Sequence, residues 1–324
     1  MRVRKQPRRR VTRSVAQPSA NRARLLRVLI AFAAVYLVWG STFLGIRIAI
    51  HSVPPGIMAG TRWCVAGALL YAVLRWRGAR RPSARDWRIA AIIGGGIIFG
   101  GNGSVTYAER FIPSGTAAVI VAVVPALMAL LGWLSGVTTR PRLPVWLGIA
   151  LATWGVVVIV RPGGVALGPE QTVSIIILMI GELMWSAASL YAIRVQQQTS
   201  GFLLVAMQML CGGACMLVTA AFTGEFVHFN LAAVSLSSVL AMAYLTFVGS
   251  LVGYCAYVWL LRNVEPTRVA TYAYVNPIVA VFLGWLFAGE KLAPELLVGS
   301  ALVVLGIALI VAFRFNAAAS TLAE

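Results

Sequence analysis

The sequence predicts an all-α integral membrane protein of ten transmembrane helices, arranged as two inverted five-helix repeats. Three observations lead there. The 324-residue chain is 60% hydrophobic and only 11% charged, with a mean hydropathy of +0.87. Soluble domains carry about 25% charged residues, and a soluble core cannot hide this much apolar side chain. The apolar residues fall into ten blocks of spanning length, and the last five blocks echo the first five.

A spanning helix needs about 20 apolar residues to cross about 30 Å of hydrocarbon. The blocks are 28–49, 56–74, 88–108, 113–134, 144–161, 172–193, 201–222, 236–260, 267–288 and 293–313. Proline marks many joints, at Pro54, Pro55, Pro82, Pro113, Pro141, Pro144, Pro162, Pro169, Pro266 and Pro294, as expected of a residue that does not continue a helix. The fifth block is the shortest.

Charge tests the count. The formal charge of +18 does not point to nucleic acid, because Lys and Arg stand in short runs between apolar blocks and in the first 27 residues. With the N-terminus inside, residues 1–27, 75–88, 135–143, 194–200, 261–268 and the tail after 313 hold 22 of the 27 Lys and Arg. Arg47, Arg62, Arg110, Arg161 and Lys291 fall on the outer side or in outer helix ends. A miscounted helix would flip every later loop and spoil this asymmetry. The expectation is a multi-pass protein of a bacterial inner membrane, both termini cytoplasmic. Residues 1–27 hold ten basic residues and no acid, so they form a tail disordered by composition. The tail fits a topology signal or a contact with anionic lipid or nucleic acid. The general positive-inside bias favours the topology signal.

The echo is specific. VAVVPALMALLGWL (121–134) returns as YAYVNPIVAVFLGWL (272–286), pairing Pro125 with Pro277 and Gly132-Trp133 with Gly284-Trp285 at an offset of 152. GIALATWGVVVIV (148–160) matches GSALVVLGIALIV (299–311), Gly148 with Gly299 and Gly155 with Gly306. Trp39 and Trp185 correspond more faintly. Residues 28–161 therefore read as one repeat and 172–313 as a second, followed by a cytoplasmic tail at 314–324. Five spans is an odd number, so the second copy enters the membrane from the opposite side. That is the architecture of alternating access, with binding near the midplane between the halves. Pro125 and Pro277 each remove a helix hydrogen bond and are expected to kink their helices. The kinks fit a paired element lining a wet pathway, or packing alone.

WGST at 39–42, PPGIMAGTRW at 54–63, FGGNG at 99–103 and TYAYVNPIVAVFLG at 271–284 together resemble the EamA family of the drug/metabolite transporter superfamily, in its YedA-like inner-membrane branch. The resemblance covers roughly residues 28 to 313. It implies export of small metabolites or xenobiotics without fixing a substrate.

Ionisable residues inside a span are functional candidates by default. Arg62 lies one to two turns into the second span, where the family carries an arginine. It fits a partner for a substrate carboxylate, or a brace for the outer helix end. Arg47 is expected to snorkel to the interface. Glu182 reads as the only acid deep in a span, and Trp185, Ser186 and Ser189 share its face. Glu182 is the candidate for proton-coupled antiport; a structural glutamate is the plainer alternative, and the resemblance does not favour coupling. Trp39, Thr42 and Trp185 suit an aromatic-walled cavity, although aromatic side chains also pack. Asn102 is a buried amide in need of partners. Asn276 and Tyr274 stand beside the Pro277 kink. The expected substrate-binding set is thus Trp39, Thr42, Arg62, Asn102, Trp185, Ser186, Tyr274 and Asn276. The seams Gly96/Gly100/Ser104 and Gly249/Gly253 read as helix packing.

Enzyme chemistry finds no residues. The two histidines, His51 and His228, lie in outer loops. Cys211 and Cys215 share a helix face, but no His or second cysteine pair completes a metal site. No cofactor, metal or P-loop is expected. The leading reading is a secondary transporter that exports small amino-acid-like, amphipathic or aromatic solutes down an ion or substrate gradient. A channel or uniporter without ion coupling is the runner-up, ahead of a membrane-embedded enzyme. Membrane lipids are the expected surroundings, and the sequence leaves a homodimer open.

Overall fold

The computed structural model describes residues 18–160, 168–195, 199–264, 269 and 271–320. Arg161, Pro162, Pro266 and the tail before residue 18 lie outside them, as does the side chain of Tyr274.

Every regular element among the described residues is helical. Eight helices are long and apolar enough to cross a membrane: α1 Leu25–Ala49, α2 Pro55–Trp76, α3 Ala84–Ala108, α4 Ser114–Leu134, α6 Pro169–Arg194, α7 Gly201–Phe222, α8 Leu236–Leu260 and α10 Pro294–Phe313. The fifth and ninth places hold shorter apolar helices, α5 Leu143–Ile159 and α9 Tyr272–Ala288. Seventeen residues rise only about 26 Å. Pro141 precedes α5, and Pro144 sits in its first turn. A turn at Thr271 and Gly289, in the left-handed region at φ +65°, bound α9.

The bundle presents its grease outward. Ile176, Ile180, Leu183, Phe282, Leu286 and Leu305 are all exposed on its surface. In water such a surface would be an aggregation patch; against lipid tails it costs nothing. Helices packed in lipid are held by close fit rather than by the hydrophobic effect, and glycine supplies the fit. A Cβ on Gly148 would lie 2.6 Å from the Gly306 carbonyl oxygen, and one on Gly155 would lie 2.6 Å from that of Gly299. So α5 and α10 cross antiparallel with backbones nearly touching. Gly60 and Gly213 bring α2 and α7 together in the same way.

Helix starts follow two rules. Ser83 and Asp86 form a reciprocal capping box at α3, and Ser200 and Ser235 cap α7 and α8. These serines accept orphan N–H groups of the first turn. By contrast α2 and α4 follow Pro54 and Pro113, which have no side-chain oxygen to offer. Distant carboxylates serve instead. Glu225 accepts from the backbone N–H of Gly56 at 3.2 Å and Ile57 at 3.0 Å. Glu290 accepts from Ser114 N at 2.7 Å, Ser114 Oγ at 2.7 Å and Gly115 N at 3.0 Å. Residues 50–54, 109–113, 223–235 and 289–293 thus gather on one face of the bundle. Residues 77–83, 135–142, 195, 199 and 200 lie on the other, where Arg194 donates to the Ser135 carbonyl.

Three helices depart from α geometry. Ala34–Val38, Gly95–Asn102 and Leu245–Gly253 are π-helical stretches inside α1, α3 and α8; such stretches recur at functional sites. α4 breaks at Ala122–Val123, and Pro125 takes the first turn of the piece that follows. Pro277 lies inside the continuous helix α9.

Candidate functional site

A cavity of about 120 Å³ lies in the middle of the bundle, walled by α1 to α4 together with α6, α8 and α9. It contains the irregular backbone just described: Ile98, Gly101 and Asn102 from one π stretch, Gly249 from another, and Ala122 from the break in α4. Its size is small beside the ~300–1,000 Å³ of typical ligand pockets.

Its polar end is Arg62, 2% exposed. Arg62 Nη2 donates to Asn102 Oδ1 at 3.0 Å, and Trp63 Nε1 donates to the same oxygen at 2.9 Å. The guanidinium also sits 4.7 Å from the centre of the Trp63 ring, an arrangement that favours a cation over an aromatic face. Asn102 therefore orients Arg62 while leaving its Nε and Nη1 without partners. Glu182 lines the same cavity, buried, with Oε2 unpartnered. Asn276 adds an unpartnered Oδ1. Buried polar atoms are nearly always satisfied, so three open groups in one cavity make it the candidate place for a polar ligand.

The remaining wall is aromatic, with Trp39 as its hub. The Trp39 ring lies 5.0 Å from Tyr257, 5.3 Å from Tyr272 and 6.1 Å from Tyr254. Tyr254 in turn meets Trp63 edge-on at 6.3 Å. Glycine lets the π stretches approach these rings. A Cβ on Gly253 would fall 2.7 Å from Trp39 Nε1, and one on Gly101 would fall 2.5 Å from Trp185 Cε3.

Of the residues expected from sequence, Trp39, Thr42, Arg62, Asn102, Glu182, Trp185, Asn276 and Pro277 all line this cavity. Ser186 is buried one turn from Glu182 and is not among the walls, nor is Pro125. Tyr274 lies outside the described side chains. Arg47 is half-buried, and its Nη1 donates to the Glu109 carbonyl, an orphan acceptor at the C-terminus of α3. Sequence reasoning missed Trp63, Tyr254 and Tyr257, whose aromatic character carries no special signal in a membrane helix. It also missed Glu109, 0% exposed with both carboxylate oxygens unpartnered. The one signal was an acid closing the stretch GNGSVTYAE at 101–109.

An all-helical membrane bundle around a central cavity that is polar at one end and aromatic along its wall defines a class, the multi-pass membrane proteins that handle small solutes. The family model described as the EamA-like transporter family matches residues 26–161 and 172–312, and the chain belongs to that family. It is 39% identical over 270 residues to the inner membrane transporter YedA of Escherichia coli strain K12, covering 83% of this chain and 85% of that one. It is 25% identical to a Salmonella typhimurium protein named a "probable amino-acid metabolite efflux pump", over 84% of this chain and 91% of that one. It is 24% identical to a "probable terminal-alkyne amino-acid exporter" of Streptantibioticus cattleyicolor, over 89% and 94%. A solved crystal structure shares the fold with a TM-score of 0.62 at 21% identity, covering 90% of this chain and 98% of the other.

Proposed function

We propose that this protein is a secondary carrier that exports small amino-acid-like or amphipathic aromatic solutes across a bacterial inner membrane by alternating access. The observation that carries the reading is the central cavity lined by both halves of the chain. Arg62 supplies two open nitrogens for a carboxylate, Glu182 an open oxygen for an ammonium group, and Trp39 with its tyrosines a face for an apolar side chain.

Support for two inverted halves comes from the pairing of equivalent glycines. Gly148 corresponds to Gly299 and Gly155 to Gly306, yet the contacts join Gly148 to Gly306 and Gly155 to Gly299. That crossed pattern is what a two-fold axis between two copies of one helix produces. The π stretches in α3 and α8 also fall at equivalent repeat positions. On this reading the face bearing Glu225 and Glu290 is the outer one, and the arginine-rich face with both termini is cytoplasmic. α5 and α10 form a scaffold beside the moving walls.

The test is release of solutes from bacteria producing the intact protein or Arg62→Ala at equal membrane level. The carrier reading expects a small set of zwitterionic or aromatic solutes enriched in the medium only with the intact protein. Equal enrichment by Arg62→Ala would remove Arg62 from the site. No enrichment by the intact protein would count against export.

A further inference from the structure

We propose that Glu109 takes Arg62 when the cavity empties, so that a substrate carboxylate and the Glu109 carboxylate compete for one guanidinium. This rests on the transport reading above and adds to it the step that resets the empty carrier.

Two side chains of opposite charge have bonding capacity unspent. Arg62 has Nε and Nη1 open; Glu109 has both oxygens open; all four atoms are buried. The two side chains lie within electrostatic reach of each other, and Glu109 also feels Arg47 and Glu290. In a finished protein core such groups would be paired, since a stranded buried charge is strongly destabilising. Here they are held apart. Asn102 Oδ1 holds Nη2 of Arg62, and Arg47 holds the backbone carbonyl of Glu109. Asn102 and Glu109 are seven residues apart on α3, hence on one face about 10 Å apart along the axis. Arg62 has a long, flexible stem. Swinging the guanidinium from the cavity side toward the end of α3 would exchange the substrate carboxylate for Glu109.

The location links the cavity to the latch on that face. Glu109 ends α3 one loop before Ser114 and Gly115, whose N–H groups Glu290 holds. A loaded carrier can change sides with Arg62 neutralised by substrate. An empty carrier must do so with Arg62 covered by something else, and Glu109 is the carboxylate in reach. Glu182 stays free for the other end of a zwitterion.

The experiment compares two transport modes of purified full-length protein in liposomes, with L-phenylalanine as probe. Net efflux requires the empty carrier to return; exchange against external L-phenylalanine does not. In Glu109→Gln, net efflux is expected to fall about 100-fold while exchange stays within about threefold of the intact protein. Glu109→Asp is expected to restore net efflux in part. Equal loss of both modes would make Glu109 structural, and unchanged net efflux would make it idle; either overturns the proposal. If the intact protein moves L-phenylalanine in neither mode, the transport reading for this solute class fails, and the proposal with it.

Discussion

Glu290 stabilises the start of a helix 175 residues away in sequence, and the strength of that link can be worked out from its contacts. Truncation in Glu290→Ala removes three acceptor contacts, to Ser114 N, Ser114 Oγ and Gly115 N. The hydroxyl can rotate to another acceptor. The two backbone N–H groups cannot, and both residues are buried. A buried donor left without a partner costs about 1–3 kcal/mol, so the two together cost about 2–6 kcal/mol. For a chain of this size each kcal/mol lowers the melting temperature by about 2 °C, giving a fall of about 4–12 °C. Glu225→Ala strands half-buried Gly56, whose bond is the longer at 3.2 Å, and buried Ile57. Its fall should be about half as large. Glu290→Gln keeps one acceptor oxygen and should fall between the intact protein and Glu290→Ala. The assay is thermal unfolding of detergent-purified protein, followed by loss of the monodisperse peak. A melting temperature for Glu290→Ala within about 1 °C of the intact protein would refute the reasoning, because it would mean that water or other groups satisfy those donors at no cost.

Other outcomes follow from the same contacts. Gly155→Ala places a Cβ 2.6 Å from the Gly299 carbonyl; the backbone cannot yield locally, so α5 and α10 must separate, at about 1–3 kcal/mol and several degrees of melting temperature. Asn102→Leu strands the Arg62 and Trp63 donors and should weaken L-phenylalanine binding at least about tenfold in an equilibrium binding assay. Gly253→Ala pushes on Trp39; the expected effect is a raised half-saturation concentration with an unchanged melting temperature, read from paired flux and unfolding curves. Glu182→Gln keeps the side-chain shape and removes the charge. If Glu182 carries the coupled proton, flux in this variant no longer responds to a pH gradient; an undiminished response removes it from coupling.

Much of the cavity was legible because polar residues are costly inside a membrane and stand out against apolar neighbours. Arg62, Asn102, Glu182 and Asn276 each announced themselves that way, and the structure brings all four to one cavity. Trp39 and Trp185 were found through the repeat. Trp63, Tyr254 and Tyr257 were not, because one aromatic in a membrane helix looks like another until its neighbours are known. Glu109 was hidden by position: one residue beyond the span it reads as a wet interfacial acid, and only the fold, which buries it beside Arg47, makes it a core residue. Glu225 and Glu290 were illegible for another reason. A local cap is visible three residues away, as with Ser83 and Asp86, whereas a cap supplied from the other half needs the fold. The two prolines show the limit of local rules. Matching positions in the repeat led to a break ahead of Pro125 and a continuous helix through Pro277, because the flanking packing, not the proline alone, decides how the chain absorbs a lost hydrogen bond.

The central claim is that the cavity opens to one side at a time. Its most direct test is counterflow: purified protein in liposomes preloaded with unlabelled L-phenylalanine, and uptake of the labelled form from outside. The account predicts saturable uptake that rises when the lumen is preloaded, because a loaded carrier returns faster than an empty one. Uptake linear in concentration and indifferent to preloading would contradict it and indicate a pore.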